Sequence, residues 1–274
     1  MSNLTPILKW AGGKRQLLSK IIPLIPQEFG CYYEPFVGAG AVLLDLHPSK
    51  AVVNDTNAEL INVYNIIKYQ PNELVKVLRE YEVSHCETFF YEIRNIDRNE
   101  KKFSELSKLQ KAARTIYLNR TCYNGLYRVN KNGYFNTPIG RNSSIQIVNE
   151  KGIIGISEYL NTGNIEVLND DYKKALKNAT EGDFVFLDPP YYPTNKNSFL
   201  RYDMSPFGIQ EQLELKNVCD QLTEKGILFI ETNSDCQEIR ELYSQYRQIE
   251  VEVRRSINTK VEGRRGKEII ICNY

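Results

Sequence analysis

Phe184 to Leu187 is a short apolar run that ends on Asp188, Pro189, Pro190 and Tyr191. A run of this length bounded by turn residues reads as a buried parallel strand. The prolines cannot extend a β ladder, so they end the strand, fix the chain direction and free a carbonyl to accept. Open α/β sheets hold their ligands at the carboxyl ends of strands. Asp188, the Pro189 carbonyl and the Tyr191 ring are therefore expected together in such a place. That set suits an exocyclic aromatic amine, with two acceptors for its two N–H groups and a ring to stack against. A nitrogen held in this way can be methylated by an adjacent sulfonium. A plain strand followed by a Pro-Pro turn is the alternative reading.

Two further strand ends carry acids. Cys31 to Phe36 is an aromatic run ending in Glu34-Pro35, followed by Gly38-Ala39-Gly40 and the apolar Val42, Leu43 and Leu44. This predicts the first strand–turn–helix of a nucleotide-binding α/β fold. The missing third glycine argues against pyrophosphate. Ala51 to Asp55 is a second short strand, and Asp55 stands 21 residues after Glu34. An acid there suits ribose hydroxyls; a helix N-cap is the compatible alternative. Nearer the N-terminus, Trp10-Ala11-Gly12-Gly13-Lys14-Arg15 predicts a tight turn leading into an amphipathic helix. Lys14 there is a partner for an anion, and Trp10 is either core or site. The pattern is not a P-loop, because the first glycine and the hydroxyl residue after Lys14 are missing.

From Ala58 to about Arg120 the apolar spacing turns helical, with Leu60, Ile61, Tyr64 and Ile67, then Leu74, Val77, Leu78 and Tyr81. No strand-plus-glycine unit occurs there, which predicts a helical insertion whose connector, Asp97 to Lys102, is a solvated loop. Asn132-Gly133 then predicts a hairpin with arms at Tyr127 to Lys131 and Tyr134 to Thr137. Arg128 near one arm can read guanine in a groove, and Tyr123 and Asn124 can wedge where a base has left the stack. Beyond it, Asn164 to Leu168 is a strand followed by Asp170, Asp171 and Tyr172, which are ligand contacts or helix caps. Pro193 to Phe207 reads as a polar loop over substrate. The basic loop from Arg254 to Glu268 is a second phosphate contact.

Composition narrows the function classes. Net charge is only +1, yet Arg94 to Arg141 holds eleven Lys/Arg against three Asp/Glu. Such asymmetry is a nucleic-acid footprint or a solvated helix face. Six scattered cysteines without a C-x-x-C pair argue for reduced thiols and against a zinc site. With only His47 and His85 present, histidine-based and metal catalysis are not expected. The apolar runs fall short of a membrane span and no basic-then-apolar leader opens the chain, which predicts a cytoplasmic protein without membrane or metal.

Together, K-W-A-G-G-K, E-P-F-V-G-A-G, N-D-x-N-x-E-L, N-G-L-Y-R-V-N…F-N-T-P-I-G-R, D-P-P-Y and R-R-S-I resemble the DNA adenine methyltransferase (Dam) family, the α-class of DNA N6-adenine methyltransferases. The resemblance runs from Leu8 to the C-terminus. It implies a Rossmann-like S-adenosyl-L-methionine-dependent α/β sheet formed by residues 1–57 and 145–274. A helical and β-hairpin DNA-recognition domain, residues 58–144, would be inserted into it. It implies transfer of methyl from S-adenosylmethionine to a flipped adenine in double-stranded DNA, in a GATC-like site, by a monomer. Asp188, Pro189, Pro190 and Tyr191 would hold the adenine. Trp10, Lys14, Glu34, Phe36, Gly38, Gly40, Asp55, Asp171, Tyr172 and Asp188 would form the cofactor site. Lys9, Arg120, Tyr123, Asn124, Leu126, Arg128, Pro138, Arg141 and Asn142 would meet the DNA. Asn142 departs from the family, in which many GATC-specific members carry Tyr after G-R. The same chemistry on RNA adenine and a non-catalytic cofactor-binding DNA-recognition protein are the alternatives.

Overall fold

The computed structural model describes residues 4–141, 145–193, 207–254 and 265–274. Asn142, most of the expected substrate loop (194–206) and most of the basic C-terminal loop (255–264) lie outside these residues.

Lys14 begins helical structure, though not one continuous helix. Turns of 3-10 helix at Lys14–Gln16 and Ile22–Leu24 flank α1 (Leu18–Ile21). Pro23 opens the second turn, because proline has no N–H to continue the first. The strand β1 (Tyr32–Glu34) is buried throughout and is followed by Pro35. Gly40, at φ 70°, leads into α2 (Ala41–Leu46); β2 (Lys50–Asn54) follows. Asn57 starts α3 (Ala58–Tyr69) by accepting the Leu60 N–H, so this helix is capped by Asn57 and not by Asp55. Pro71 opens α4 (Pro71–Val83) where a missing N–H is harmless.

Then come α5 (Glu87–Asn95), α6 (Glu100–Glu105) and α7 (Lys108–Thr121), the last begun by a Ser107–Gln110 capping box. The helix α8 (Glu150–Thr162), which the sequence reading did not anticipate, precedes β3 (Asn164–Leu168) and α9 (Tyr172–Ala175). The chain ends as β4 (Phe184–Leu187), α10 (Ile209–Glu224), β5 (Leu228–Ser234), α11 (Gln237–Leu242), β6 (Arg247–Arg254) and β7 (Arg265–Cys272).

The fold is α/β, with a seven-stranded, mostly parallel sheet of Rossmann-like type. Two compact units divide the chain. One holds the described residues up to Gly13, Gly38–His47 and Asp55–Asn169, including β3. Its centre is α7, where Ala112, Ala113, Ile116, Tyr117 and Leu118 are all buried. A helix apolar on most of its circumference has to be surrounded.

The other unit holds Lys14–Val37, Pro48–Asn54 and the described residues from Asp170 on. Its six strands run in the order β2-β1-β4-β5-β7-β6. Pairing is parallel from β2 to β5, with Tyr33 beside both Val52 and Val185, and Val185 beside Phe229. The strand β7 runs antiparallel to both β5 and β6. All four residues of β4 are buried, as expected for a central parallel strand. Because β1 has β2 on one side and β4 on the other, the order reverses at β1/β4. That is the switch point at which such sheets open a crevice. Pro35 and Asp188 follow directly on the carboxyl ends of these two strands.

Candidate active site

Asp188 leaves β4 with its carboxylate half-enclosed, and two groups converge on the same oxygen. The Lys14 ammonium lies 2.7 Å from Oδ1, and the Thr232 hydroxyl donates to Oδ1 at 2.8 Å. Thr232 is on β5 one residue past the partner of Leu187, so strand register sets this contact. Lys14 is buried, and its ammonium also sits 4.7 Å over the Tyr191 ring. The Tyr191 hydroxyl donates to Glu268 Oε2 on β7 at 2.9 Å. Burial pushes the Asp188 carboxyl above its ordinary value, while the Lys14 ammonium and the Thr232 hydroxyl offset part of that rise. Burial likewise raises the Tyr191 phenol.

Behind this turn lies a buried polar network that the sequence reading missed. The Gln212 side chain donates to the Pro190 carbonyl at 3.0 Å, and its own oxygen accepts from Asn233 Nδ2 at 3.0 Å. Asn233 Oδ1 accepts the backbone N–H of Tyr192 at 3.1 Å, and Ser234 donates to the Tyr192 carbonyl at 2.6 Å. Asn233 Nδ2 also donates to Glu231, a fully buried acid whose pKa burial raises to about 7. The signal was present as Glu231-Thr232-Asn233-Ser234, four polar residues ending the otherwise apolar strand β5.

The same unit pairs Phe36 with Tyr172, ring centroids 5.2 Å apart. The Tyr172 hydroxyl is buried and has no hydrogen-bond partner among the described residues. Asp171 caps α9 by accepting the Lys173 N–H, and Asp170 pairs with Lys174, so both acids are used locally. Glu34 is buried and accepts from the Tyr32 hydroxyl at 2.8 Å.

In the other unit, Asp55 ties its own turn to the Gly38 turn. Its Oδ2 accepts the Gly38 N–H at 3.1 Å and its Oδ1 accepts the Asn57 N–H at 2.9 Å. Burial nonetheless pushes its carboxyl up. Gly38 sits beside the Trp10 ring at φ +49°, a conformation that favours glycine, and its carbonyl accepts from the Tyr64 hydroxyl at 3.1 Å. Trp10 stacks on Tyr127 at 4.7 Å, and the Tyr127 hydroxyl donates to Glu59 at 2.7 Å.

The DNA-facing candidates of this unit divide by exposure. Lys9, Tyr123, Asn124, Arg128, Pro138 and Arg141 are exposed, and Leu126 is half-buried. Arg120 is instead engaged, donating twice to the Gln146 carbonyl, and burial lowers its pKa. The hairpin forms as isolated pairing of Val129 with Phe135, without regular strands; Asn130 accepts from the Asn132 and Tyr134 N–H groups to close its turn.

The connector is exposed from Arg98 to Lys102, as expected, but its first residue is not. Asp97 is buried, pairs with Arg114 at 2.7 Å and accepts the Phe135 N–H at 2.8 Å, while Arg98 donates to the Phe135 carbonyl. A buried carboxylate needs such partners, and here they fasten the hairpin to the helices. Among the described residues no cluster of metal-ligating side chains occurs, and no helix is long and apolar enough to cross a membrane.

Fold and site thus define an α/β chain of Rossmann-like type with an enclosed carboxylate and an aromatic ring just past the carboxyl end of a central parallel strand. Known proteins specify the family. The model of the D12 class N6 adenine-specific DNA methyltransferases matches residues 10–257. The type II methyltransferase M1.LlaDCHI of Lactococcus lactis subsp. cremoris is 40% identical over 275 residues, 99% of this chain and 96% of that protein. M.MjaIII, a type II methyltransferase of Methanocaldococcus jannaschii, is 35% identical, covering 98% and 99%. The DNA adenine methylase of Escherichia coli (strain K12) is 32% identical, covering 97% and 94%. The chain belongs to the D12 class of N6 adenine-specific DNA methyltransferases and is a DNA-methylating enzyme.

Proposed function

We propose that the protein methylates N6 of an adenine flipped out of duplex DNA, within a GATC-like site, with S-adenosylmethionine as donor. The observation that carries the reading is the Lys14 ammonium, held on Asp188 Oδ1 and over the Tyr191 ring. A carboxylate and a ring that already hold one amine are suited to hold another.

The residues fit the donor. Asp55, whose carboxylate already accepts the Gly38 N–H, is an acceptor for a ribose diol, and Trp10 offers an apolar face. The Phe36–Tyr172 pair with its unpartnered hydroxyl suits an aromatic base. Glu34 and Gly40 support the turns on which these residues stand. When bound, S-adenosylmethionine supplies an electrophilic methyl on a sulfonium.

The protein does the rest by placement. Tyr191 stacks on the adenine, and Asp188 with the Pro189 carbonyl accepts the two N6 hydrogens, keeping the nitrogen lone pair directed outward. These acceptors stabilise positive charge as it develops on N6. Asp188 then holds the departing N6 proton before it passes to water. Residues 1–57 and 145–274 serve the chemistry, and residues 58–144, together with Lys9, the target sequence. Lys9 and Arg128 read guanine, Leu126 and Pro138 make apolar base contacts, and Tyr123 and Asn124 fill the space the flipped base leaves. Acting on cellular DNA, the protein works in the cytoplasm.

The test is methyl transfer from labelled S-adenosylmethionine to a duplex with one GATC, against duplexes changed at each position and against the matching RNA. Transfer confined to adenine of the GATC duplex is expected. Preferential transfer to RNA, or none to any duplex, would overturn the proposal.

A further inference from the structure

Asn119 is fully buried near the end of α7, and its amide holds a segment 110 residues away. Its Oδ1 accepts the Lys9 backbone N–H at 2.9 Å, and its Nδ2 donates to the Lys9 carbonyl at 2.8 Å. One side chain thus pairs with both polar groups of one residue, as a neighbouring strand would. The same Nδ2 donates to the Gly125 carbonyl at 3.1 Å. Gly125 has φ +67°, and a Cβ on it would lie 2.5 Å from Lys9 Cδ. The stem of Lys9 therefore lies against the Gly125 backbone, and only glycine fits there. Around this point Tyr123 N–H donates to the Pro138 carbonyl and Gly140 N–H to the Thr121 carbonyl. Asn124 is held in the left-handed region at φ 56°. The exposed ends of Lys9 and Tyr123 thus rise from one buried amide.

We propose that Asn119 is a specificity-positioning residue: it fixes Lys9 and the Tyr123-Asn124-Gly125 turn in a single register, so that both address the same base step. Asn119 touches no DNA itself. This rests on the reading above that Lys9 and the turn meet DNA.

The test is discrimination, measured as kcat/KM on the cognate duplex and on every single-base-pair variant of it. Four proteins are compared with wild type: Lys9→Ala, Asn119→Ser, the double variant and Gly125→Ala. Lys9→Ala is expected to relax one base pair roughly tenfold, the scale of one lost base contact. Asn119→Ser should relax the same base pair to a similar extent, and the double variant no further than either single. Gly125→Ala, which displaces the Lys9 stem from the opposite side, should relax that pair too and covers the case of an unfolded Asn119 variant. A folded Asn119→Ser protein that is slower on all duplexes by one common factor, with the wild-type discrimination profile, overturns the inference. So does a Gly125→Ala protein with that profile. A wild-type protein without sequence preference overturns the underlying reading as well, and is thereby distinguished from failure at Asn119 alone.

Discussion

The Lys14 ammonium and the Asp188 carboxylate lie 2.7 Å apart, both largely withdrawn from water, at the switch point of the sheet. Opposing effects meet at Asp188. Burial favours the neutral acid, the ammonium and the Thr232 hydroxyl favour the anion, and burial prevails enough to leave the carboxyl raised. An adenine amine that takes this carboxylate must share it with Lys14 or displace it.

The pH dependence of turnover follows from that balance. On the proposed reading the ionised Asp188 is the stronger acceptor for N6, so kcat/KM should rise with pH through its pKa. Lys14→Met removes the opposing charge and leaves only the Thr232 hydroxyl against burial. The ascending limb should move up by about 1–2 pH units, the effect of a close opposite charge. Lys14→Arg keeps the charge and should hold the limb nearer its original place. An unmoved limb in Lys14→Met would show that Asp188 does not titrate in the reaction.

Tyr191 should separate stacking from hydrogen bonding. Tyr191→Phe keeps the ring and loses the hydroxyl with its bond to Glu268. Tyr191→Ala loses the surface for the base, about 1–3 kcal/mol for one stacked base. We expect kcat/KM on DNA to fall roughly 5- to 150-fold in the alanine variant and far less in the phenylalanine variant. Equal losses in both would contradict a stacking role.

Glu231 sets a pH-dependent weakness in the fold. Its carboxyl titrates at about 7 in the folded protein against an ordinary 4.5. The folded state thus holds this proton more tightly than the unfolded chain. The stability it contributes is complete below about pH 4.5 and is lost as pH rises through about 7. The loss amounts to about 3 kcal/mol. Glu231→Gln, which keeps the oxygen that accepts from Asn233, should remove this slope and be the more stable protein at pH 8. Urea unfolding of both proteins from pH 5 to pH 8 checks it; parallel curves would contradict the assignment.

Asp97 joins the hairpin to the helical stretch. Asp97→Ala leaves the Arg114 guanidinium buried without its carboxylate and frees the Phe135 N–H. Breaking a buried pair from one side costs about 3–5 kcal/mol. The variant should lose that much in urea unfolding, and at temperatures where it remains folded it should bind duplex DNA more weakly than wild type. Wild-type stability would show the pair to be dispensable.

What the sequence made legible was local. An apolar run closed by Glu34-Pro35 or Asp188-Pro189 marks a strand end without any knowledge of the neighbours, and β1 and β4 stand where those signals predict. The contacts absent from that reading depend on pairing across the sheet or between helices. Thr232 meets Asp188 because β5 lies beside β4, and Glu268 meets Tyr191 because β7 returns antiparallel to β5. Asp97 looked solvated because the residues that follow it, Arg98 to Lys102, are polar or charged, yet its partners Arg114 and Phe135 come from far along the chain. Asn119 looked like an ordinary polar residue of a helix end; only the fold brings Lys9 to it. Lys14 was legible as a partner for an anion, and the anion it meets is the protein's own Asp188.

The central claim, adenine methylation directed by Asp188, is tested most directly by mapping N6-methyladenine in plasmid DNA. The DNA is taken from a methylation-free host expressing either the wild-type chain or Asp188→Ala. We predict N6-methyladenine at GATC, or at one closely related motif, with wild type. We predict none with Asp188→Ala, although that protein still binds duplex DNA in a gel shift. The same methylation pattern from both proteins, or none from a soluble wild-type protein, would contradict the account.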